Sequence, residues 1–293
     1  PWDGDGGELV FTTDSFTVQP LEFPGGNIGS LAVHGTTNDL AVAGAVPKYL
    51  SLGVLLEEGV EVALLERVVS ALAAAAREVG VAVVTGDTKV VRRGEGGGIY
   101  LNTSGIGVKP RGLDLGIGQI RDGDAVLVSG PVGDHGIAVM LAREQFGLRG
   151  DLRSDAASVL PITRELVKLP GLRFMRDPTR GGLASVAHEI VQGSGLGLRL
   201  SETQVPVRDS VRSVCEMLGY DPYYLACEGR VVAVVAPDEA EPALAVLRQT
   251  PAGAEAAIIG ELRTEPRRVV LETTFGGERV IEELEDDPLP RIC

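Results

Sequence analysis

The segment Glu61–Val79 constrains the fold of this chain more than any other part of the sequence. Val62, Leu65, Val68, Val69, Leu72, Ala76 and Val79 recur there at helical spacing, and Gly80 supplies a stop. Strand-like apolar runs flank it at Tyr49–Leu56 and Val81–Thr85, with others at Glu8–Thr13 and Ile99–Val108. A weaker helical pattern covers Ile28–Ala43, with Gly35-Thr36-Thr37 a candidate break and Pro47 just beyond. This alternation specifies an α/β or α+β architecture. The 39 glycines and the 4% aromatic content favour it over an all-β sandwich.

A turn-rich stretch from Lys109-Pro110-Arg111-Gly112 to Gly116-Ile117-Gly118 marks the expected boundary between two domains, 1–115 and 116–281. The second half reads as strands near Ala125–Ser129, Arg173–Met175, Gly197–Leu200, Arg230–Ala236 and Arg268–Leu271. Its helices are expected near His135–Phe146, Ala156–Lys168, Gly181–Gln192, Val207–Leu218 and Glu239–Arg248. Residues 282–293 differ in kind. An acidic run, Glu282 to Asp287, precedes Pro288-Leu289-Pro290-Arg291-Ile292-Cys293, which favours a solvated, extended, flexible tail. Fully stretched it spans roughly 40 Å, enough to carry a terminal thiol across a domain face. At the other end Gly4-Asp5-Gly6-Gly7 is a turn sequence leading into a strand. A hairpin needs an earlier strand, so native sequence upstream of Pro1 is expected.

At 293 residues and 44% hydrophobic content the chain builds a substantial core. A net charge of −14 argues against nonspecific nucleic-acid binding, which needs clustered Lys and Arg. No uncharged apolar run reaches the ~18 residues that span a bilayer, and no signal peptide is apparent. A cytoplasmic location with no membrane partner is therefore the expectation. Cys215, Cys227 and Cys293 form no metal-ligand spacing, and His34, His135 and His188 do not complete one. The first two cysteines lie in apolar stretches and read as core. The third ends the chain without the three following residues that prenylation requires, and an exposed thiol on a proline-stiffened leash points to function.

Neither G-x-x-x-x-G-K-[ST] nor G-x-G-x-x-G occurs, and Gly193-Ser194-Gly195-Leu196-Gly197 reads as a loop after a helix. Three acidic clusters are more informative. Thr12-Thr13-Asp14-Ser15 ends a strand, Thr37-Asn38-Asp39 lies in or caps a helix, and Gly86-Asp87-Thr88-Lys89 follows an apolar strand. Taken singly each Asp is a turn or cap residue. Together they are placed to converge on a hard cation such as Mg²⁺, with Lys89, Arg92 and Arg93 following for phosphate. In the second half Ser129-Gly130-Pro131-Val132-Gly133-Asp134-His135-Gly136 joins a strand to a helix, a place where backbone N–H groups favour an anion. His135 is there either a base near neutral pH or a packed first-turn residue. Asp177-Pro178-Thr179-Arg180-Gly181-Gly182 also opens a helix, and its simplest reading is a capping turn with Thr179 as N-cap. Glu228-Gly229-Arg230 precedes a strand.

Together these segments resemble the HypE family of hydrogenase maturation proteins, within the aminoimidazole-ribonucleotide-synthetase-like superfamily. The resemblance runs the whole chain, through Phe11-Thr12-Thr13-Asp14-Ser15-Phe16, Phe23-Pro24-Gly25-Gly26-Asn27-Ile28-Gly29, Thr37-Asn38-Asp39-Leu40-Ala41 and Val84-Thr85-Gly86-Asp87-Thr88-Lys89-Val90-Val91. It continues through Gly133-Asp134-His135-Gly136, Asp177 to Gly182 and Glu228-Gly229, and its most specific element is Pro290-Arg291-Ile292-Cys293. The resemblance implies a homodimer of two-domain α/β subunits whose N-terminal domains pair to build an ATP site. It implies ATP-dependent dehydration of a carbamoyl group held as a thioester on Cys293. HypF would load that group, and the HypC–HypD complex would accept the resulting cyanide ligand. It assigns Asp14, Asn38, Asp39 and Asp87 to a Mg–ATP site, with Asp14, Asp39 and Asp87 on the metal. Lys89, Asp177 and Arg180 fall on the nucleotide, and His135 and Glu228 are candidates for proton removal. Family members carry a glycine-rich segment and an acidic pair ahead of the first hairpin, where this chain begins. Asp3 and Asp5 read as turn residues and do not replace that pair. Two rivals remain at this point. One is a kinase or synthetase acting on a free small molecule, in the manner of thiamine-monophosphate kinase. The other is a non-catalytic docking protein whose tail is a partner's handle.

Overall fold

A computed structural model describes residues 7–143, 151–285 and Ile292. Among the described residues the first half runs β1 (Gly7–Phe16), a short ribbon of β2 (Glu22–Phe23) and β3 (Gly26–Asn27), α1 (Ile28–Val42), β4 (Val46–Glu57), α2 (Val62–Val79), β5 (Ala82–Val91) and β6 (Ile99–Pro110). The long strands form a sheet ordered β1-β6-β4-β5, with β4 and β5 parallel on either side of α2 in sequence. The strongest sequence signal therefore became a β-α-β unit. In α2 the residues Val68, Leu72, Ala75, Ala76 and Val79 face the core. Val62 and Val69 carry the same apolar pattern but project to solvent. Gly80 caps the helix in the left-handed conformation, its N–H donating to Ala76 O at 3.0 Å.

Helix α1 departs from expectation. It runs unbroken through Gly35-Thr36-Thr37, because the Thr37 hydroxyl donates back to Val33 O at 2.7 Å and Thr36 bonds Thr103 on β6. Its start is fixed by a capping box: the Asn27 side chain accepts from Gly29 N and Ser30 N while Asn27 N donates to Ser30 Oγ. Gly29 is required by close approach, since a Cβ there would run into the Val68 carbonyl where α1 crosses α2. Buried on nearly every side, α1 lies between the sheet, α2 and the second half.

The second half contains β7 (Ala125–Val128), α3 (Asp134–Ala142), α4 (Leu160–Leu166), β8 (Leu172–Arg176), α5 (Gly182–Ser194), β9 (Gly197–Ser201) and α6 (Asp209–Leu218). It continues with β10 (Val232–Val235), α7 (Ala240–Arg248), β11 (Ala257–Arg263), β12 (Val269–Glu272) and β13 (Glu278–Val280). These strands order as β13-β12-β9-β11-β7-β10-β8, antiparallel except for the β9–β12 pair. The interior strands β7 (Ala-Val-Leu-Val) and β10 (Val-Ala-Val-Val) are buried along their whole length. Cys215 and Cys227 are buried free thiols, as expected of core residues.

Three further readings are corrected. Gly86–Lys89 does not follow a strand but lies inside β5, held extended by its ladder to β4. Thr179 is not the N-cap of α5; Gly181 is, with Gly181 and Gly182 both left-handed. The helix expected from Ala156 begins only at Leu160, and the residues before it are irregular. For the expected flexible tail, residues 286–291 and Cys293 lie outside the described residues.

Candidate active site

Where α1 meets the second half, carboxyl groups from four segments gather. Burial raises both Asp14, near the end of β1, and Asp39, in α1, above the usual carboxylate range, and the Asp39 charge adds to the rise at Asp14. The Thr12 hydroxyl donates to Asp39 Oδ2 at 2.9 Å and partly offsets that rise. Asp177, in the turn between β8 and α5, is pushed up to about 7 by burial and then by Asp39, with Arg176 opposing. Glu228, before β10, is raised well above its ordinary value by burial and by Asp177, Asp155, Asp14 and Asp39. Its Oε1 is buried and has no hydrogen-bond partner among the described residues. Like charges forced together out of water demand a compensating cation. Arg180, exposed beside this cluster, lowers the Asp14 pKa.

No three metal-ligating side chains come together among the described residues. A cation held here by Asp14 and Asp39 would complete its shell with water and phosphate oxygens. That is the usual manner of Mg²⁺, so the residues present fit it.

Asp87 does not join them within one chain. Paired residues in a sheet project to the same face and successive ones to opposite faces. Asp14 pairs with Thr103, whose hydroxyl meets α1. Asp87 shares a row with Gly53, Asn102 and Ser15, on the face turned away from α1 and about 14 Å, or three strand spacings, across the sheet from Ser15. Asp87 and Lys89 are exposed and pair with each other at 3.5 Å.

Asn38, expected at the nucleotide, bonds the second half of the chain in this structure. It is buried, its Nδ2 donates to Ala157 O at 3.0 Å and Glu228 O at 3.2 Å, and its Oδ1 accepts from Val159 N at 2.9 Å. All these bonds run to backbone of the second half, so the side chain clasps the two halves together.

His135 sits in the first turn of α3, wholly buried, with the Phe23 ring edge-on at 5.4 Å. Burial depresses its pKa, so the ring is neutral near pH 7. Its Nε2 lies 2.8 Å from Ile292 O, and a carbonyl only accepts, so Nε2 carries the proton. Ile292 is itself buried, and its carbonyl belongs to the peptide bond that leads to Cys293. The tail thus returns to the body of the molecule at this histidine. The neutral His135 ring keeps a lone pair on Nδ1, as a base requires, whereas the Glu228 carboxyl is pushed towards its protonated form. The cause is burial in both cases.

Two residues that the sequence reading passed over complete the site. Ser154 Oγ lies 2.7 Å from His135 Nδ1, and the Asp155 carboxylate accepts from Glu228 N and Gly229 N at 3.1 and 3.3 Å. Their only sequence signal was an acidic-polar pair ahead of an apolar helix.

Comparison with known proteins decides between the readings. Residues 2–109 match the N-terminal domain of AIR synthase related proteins, and residues 121–271 match the C-terminal domain. The carbamoyl dehydratase HypE of Rhizobium leguminosarum bv. viciae is 49% identical over 291 residues, covering 98% of this chain and 83% of that protein. The chain belongs to the HypE family. The crystal structure of Escherichia coli HypE superposes with a TM-score of 0.95 at 46% identity, covering 99% of this chain and 90% of that one. A HypE structure in complex with ATP gives a TM-score of 0.94 at 46% identity over 98% of this chain and 88% of that one. A HypE–HypF complex gives 0.92 at 44% identity over 96% and 92%. Membership of the HypE family sets aside both the free-small-molecule kinase and the non-catalytic docking protein.

Proposed function

We propose that this protein uses Mg–ATP to dehydrate a carbamoyl group carried as a thioester on Cys293, giving a protein thiocyanate for the cyanide ligands of [NiFe]-hydrogenase. The observation that supports this reading is the hydrogen bond from His135 to the Ile292 carbonyl, which ties the residue before Cys293 to the first turn of α3. ATP phosphorylates the carbamoyl oxygen, the oxygen departs with phosphate, and the nitrogen loses two protons to complete the C≡N bond. The net change is loss of one water from the thioester. Asp14 and Asp39 would hold Mg²⁺, which neutralises phosphate charge when bound. Asp177 and Arg180 line the nucleotide side. Glu228 takes a proton from the carbamoyl nitrogen, while His135 holds the tail carbonyl beside it. Glu228 becomes an acceptor only once the negative charge around it is compensated, which ties proton removal to nucleotide loading.

A homodimer completes the site. The face of the first sheet turned away from α1 carries Leu9, Phe11, Ile106, Tyr49 and Leu55, all exposed, with Phe11, Ile106 and Tyr49 in one register row. An apolar face of this kind on a four-stranded sheet is an interface in waiting. Pairing there brings Asp87 and Lys89 of one subunit towards the ATP site of the other. HypF is the carbamoyl donor, by analogy with the complex of the related HypE, and HypC–HypD the acceptor. Among the described residues no helix is long and apolar enough to cross a membrane.

The test is ATP turnover by carbamoylated protein. Phosphate release in the presence of HypF and carbamoyl donor, abolished in Cys293→Ala, is the expected result. Undiminished carbamoyl-dependent release from Cys293→Ala overturns the proposal.

A further inference from the structure

The irregular segment 154–159 links His135, Glu228 and α1. Ser154 meets His135, Asp155 caps the Glu228–Gly229 peptides, and Ala157 and Val159 are bonded to Asn38 of α1. The segment is pinned on both sides. Ser154 N donates to Pro24 O at 2.8 Å, and the Asp155 carboxylate faces Arg230 at 3.3 Å. A hydroxyl so held is a fixed reference point for whatever it bonds.

What it bonds is the one ring nitrogen of His135 that does not face the tail. Ser154 Oγ also accepts from Ala156 N at 3.0 Å, and since Nε2 of the neutral ring donates to the Ile292 carbonyl, the Ser154 proton is the one donated to His135 Nδ1. With Nδ1 accepting, the neutral ring must carry its proton on Nε2, pointing at Ile292 O. The alternative tautomer would set the Nε2 lone pair against that carbonyl.

We infer that Ser154 is a positioning residue for the dehydration: its hydroxyl fixes the tautomer and ring orientation of His135, so that the Nε2–H holds the tail carbonyl next to the reacting cysteine. This rests on the reading of His135 as a group of the active site. Ser154 touches neither substrate nor nucleotide. It acts through the imidazole, as the partner of the far nitrogen does in other histidine sites.

The first readout needs no variant. Nitrogen NMR of the full-length protein labelled with ¹⁵N-histidine predicts His135 as the Nε2–H tautomer near neutral pH, assigned by loss of its signals in His135→Ala. An Nδ1–H tautomer overturns the inference. Single-turnover dehydration of carbamoylated protein supplies the second. Ser154→Ala is expected to lower the rate on the order of tenfold or more and to shift the ¹⁵N pattern towards a tautomer mixture. The KM for ATP stays within about twofold of wild type, since binding on the nucleotide side is untouched, and Ser154→Thr restores both rate and tautomer. Wild-type rate and tautomer in Ser154→Ala, beside an inactive His135→Ala, overturn this inference and leave the reading of His135 standing. A fully active His135→Ala overturns both.

Discussion

Burial and the charges of Asp39 and Asp14 keep Asp177 protonated up to about pH 7, against an ordinary value of 3.8. The sign of the consequence is fixed by linkage. The folded state binds this proton more tightly than the unfolded state, so Asp177 favours folding as pH falls through about 7 and opposes it above. Asp177→Asn removes that opposition. Near pH 8 the nucleotide-free variant is expected to melt higher than wild type by several degrees, at ~2–4 °C per kcal/mol, with the difference closing towards about pH 4. The same change is expected to lower kcat/KM for ATP on the order of tenfold, because a charged hydrogen-bonding group is worth ~1.5–3 kcal/mol. Asn38 makes the converse prediction. Asn38→Ala strands Val159 N, Ala157 O and Glu228 O in a buried joint, and chemical denaturation should show a loss of ~2–4 kcal/mol. Asp14 and Asp39 stood out in the sequence because acids beside apolar segments are conspicuous. The role of Asn38 did not, since its partners lie more than a hundred residues away in the chain. Ser154 was hidden by Ala156-Ala157, which read as the start of a helix.

At the scale of elements, periodicity located α2 and the central strands, while turn chemistry misled where tertiary contacts override local preference. The Gly86-Asp87 pair has the composition of a turn, yet the parallel ladder to β4 holds it extended. Strand β11 went unseen because Ala257, Gly260 and Glu261 are poor strand formers in isolation; its neighbours β7 and β9 supply the pairing. The Asp177–Gly182 turn shows how much such local geometry weighs. Gly182 has φ +57° and a Cβ there would meet the carbonyls of Leu225 and Tyr223, whereas Gly195, at φ +70°, faces open space. Gly195→Ala is expected to cost ~1 kcal/mol through backbone conformation alone. Gly182→Ala should cost clearly more, and thermal melts of the two side by side check the order.

At the scale of the molecule, Asp14 and Asp87 lie on opposite faces of one sheet. In the proposed function, association of subunits is what reunites them. Ile106→Glu puts a charge in the middle of the apolar row and is expected to give a monomer by sedimentation and to cut ATP turnover on the order of tenfold or more, because Asp87 and Lys89 no longer reach the partner's site. A monomeric variant with full turnover would show that each chain is sufficient alone. The two-domain plan was legible in the sequence, through the change of pattern on either side of the turn-rich stretch. The separation of Asp14 from Asp87 was not, because which face a strand residue takes depends on pairing register that no local pattern reveals.

The most direct measurement of the central claim is the intact mass of the full-length protein through one reaction cycle with HypF, carbamoyl donor and then Mg–ATP. The account predicts a carbamoyl increment localised to Cys293, followed on addition of nucleotide by loss of one water at the same residue. A carbamoyl group that stays unchanged on Cys293 with ATP and Mg²⁺ present, or a dehydrated adduct mapped to another residue, would contradict it.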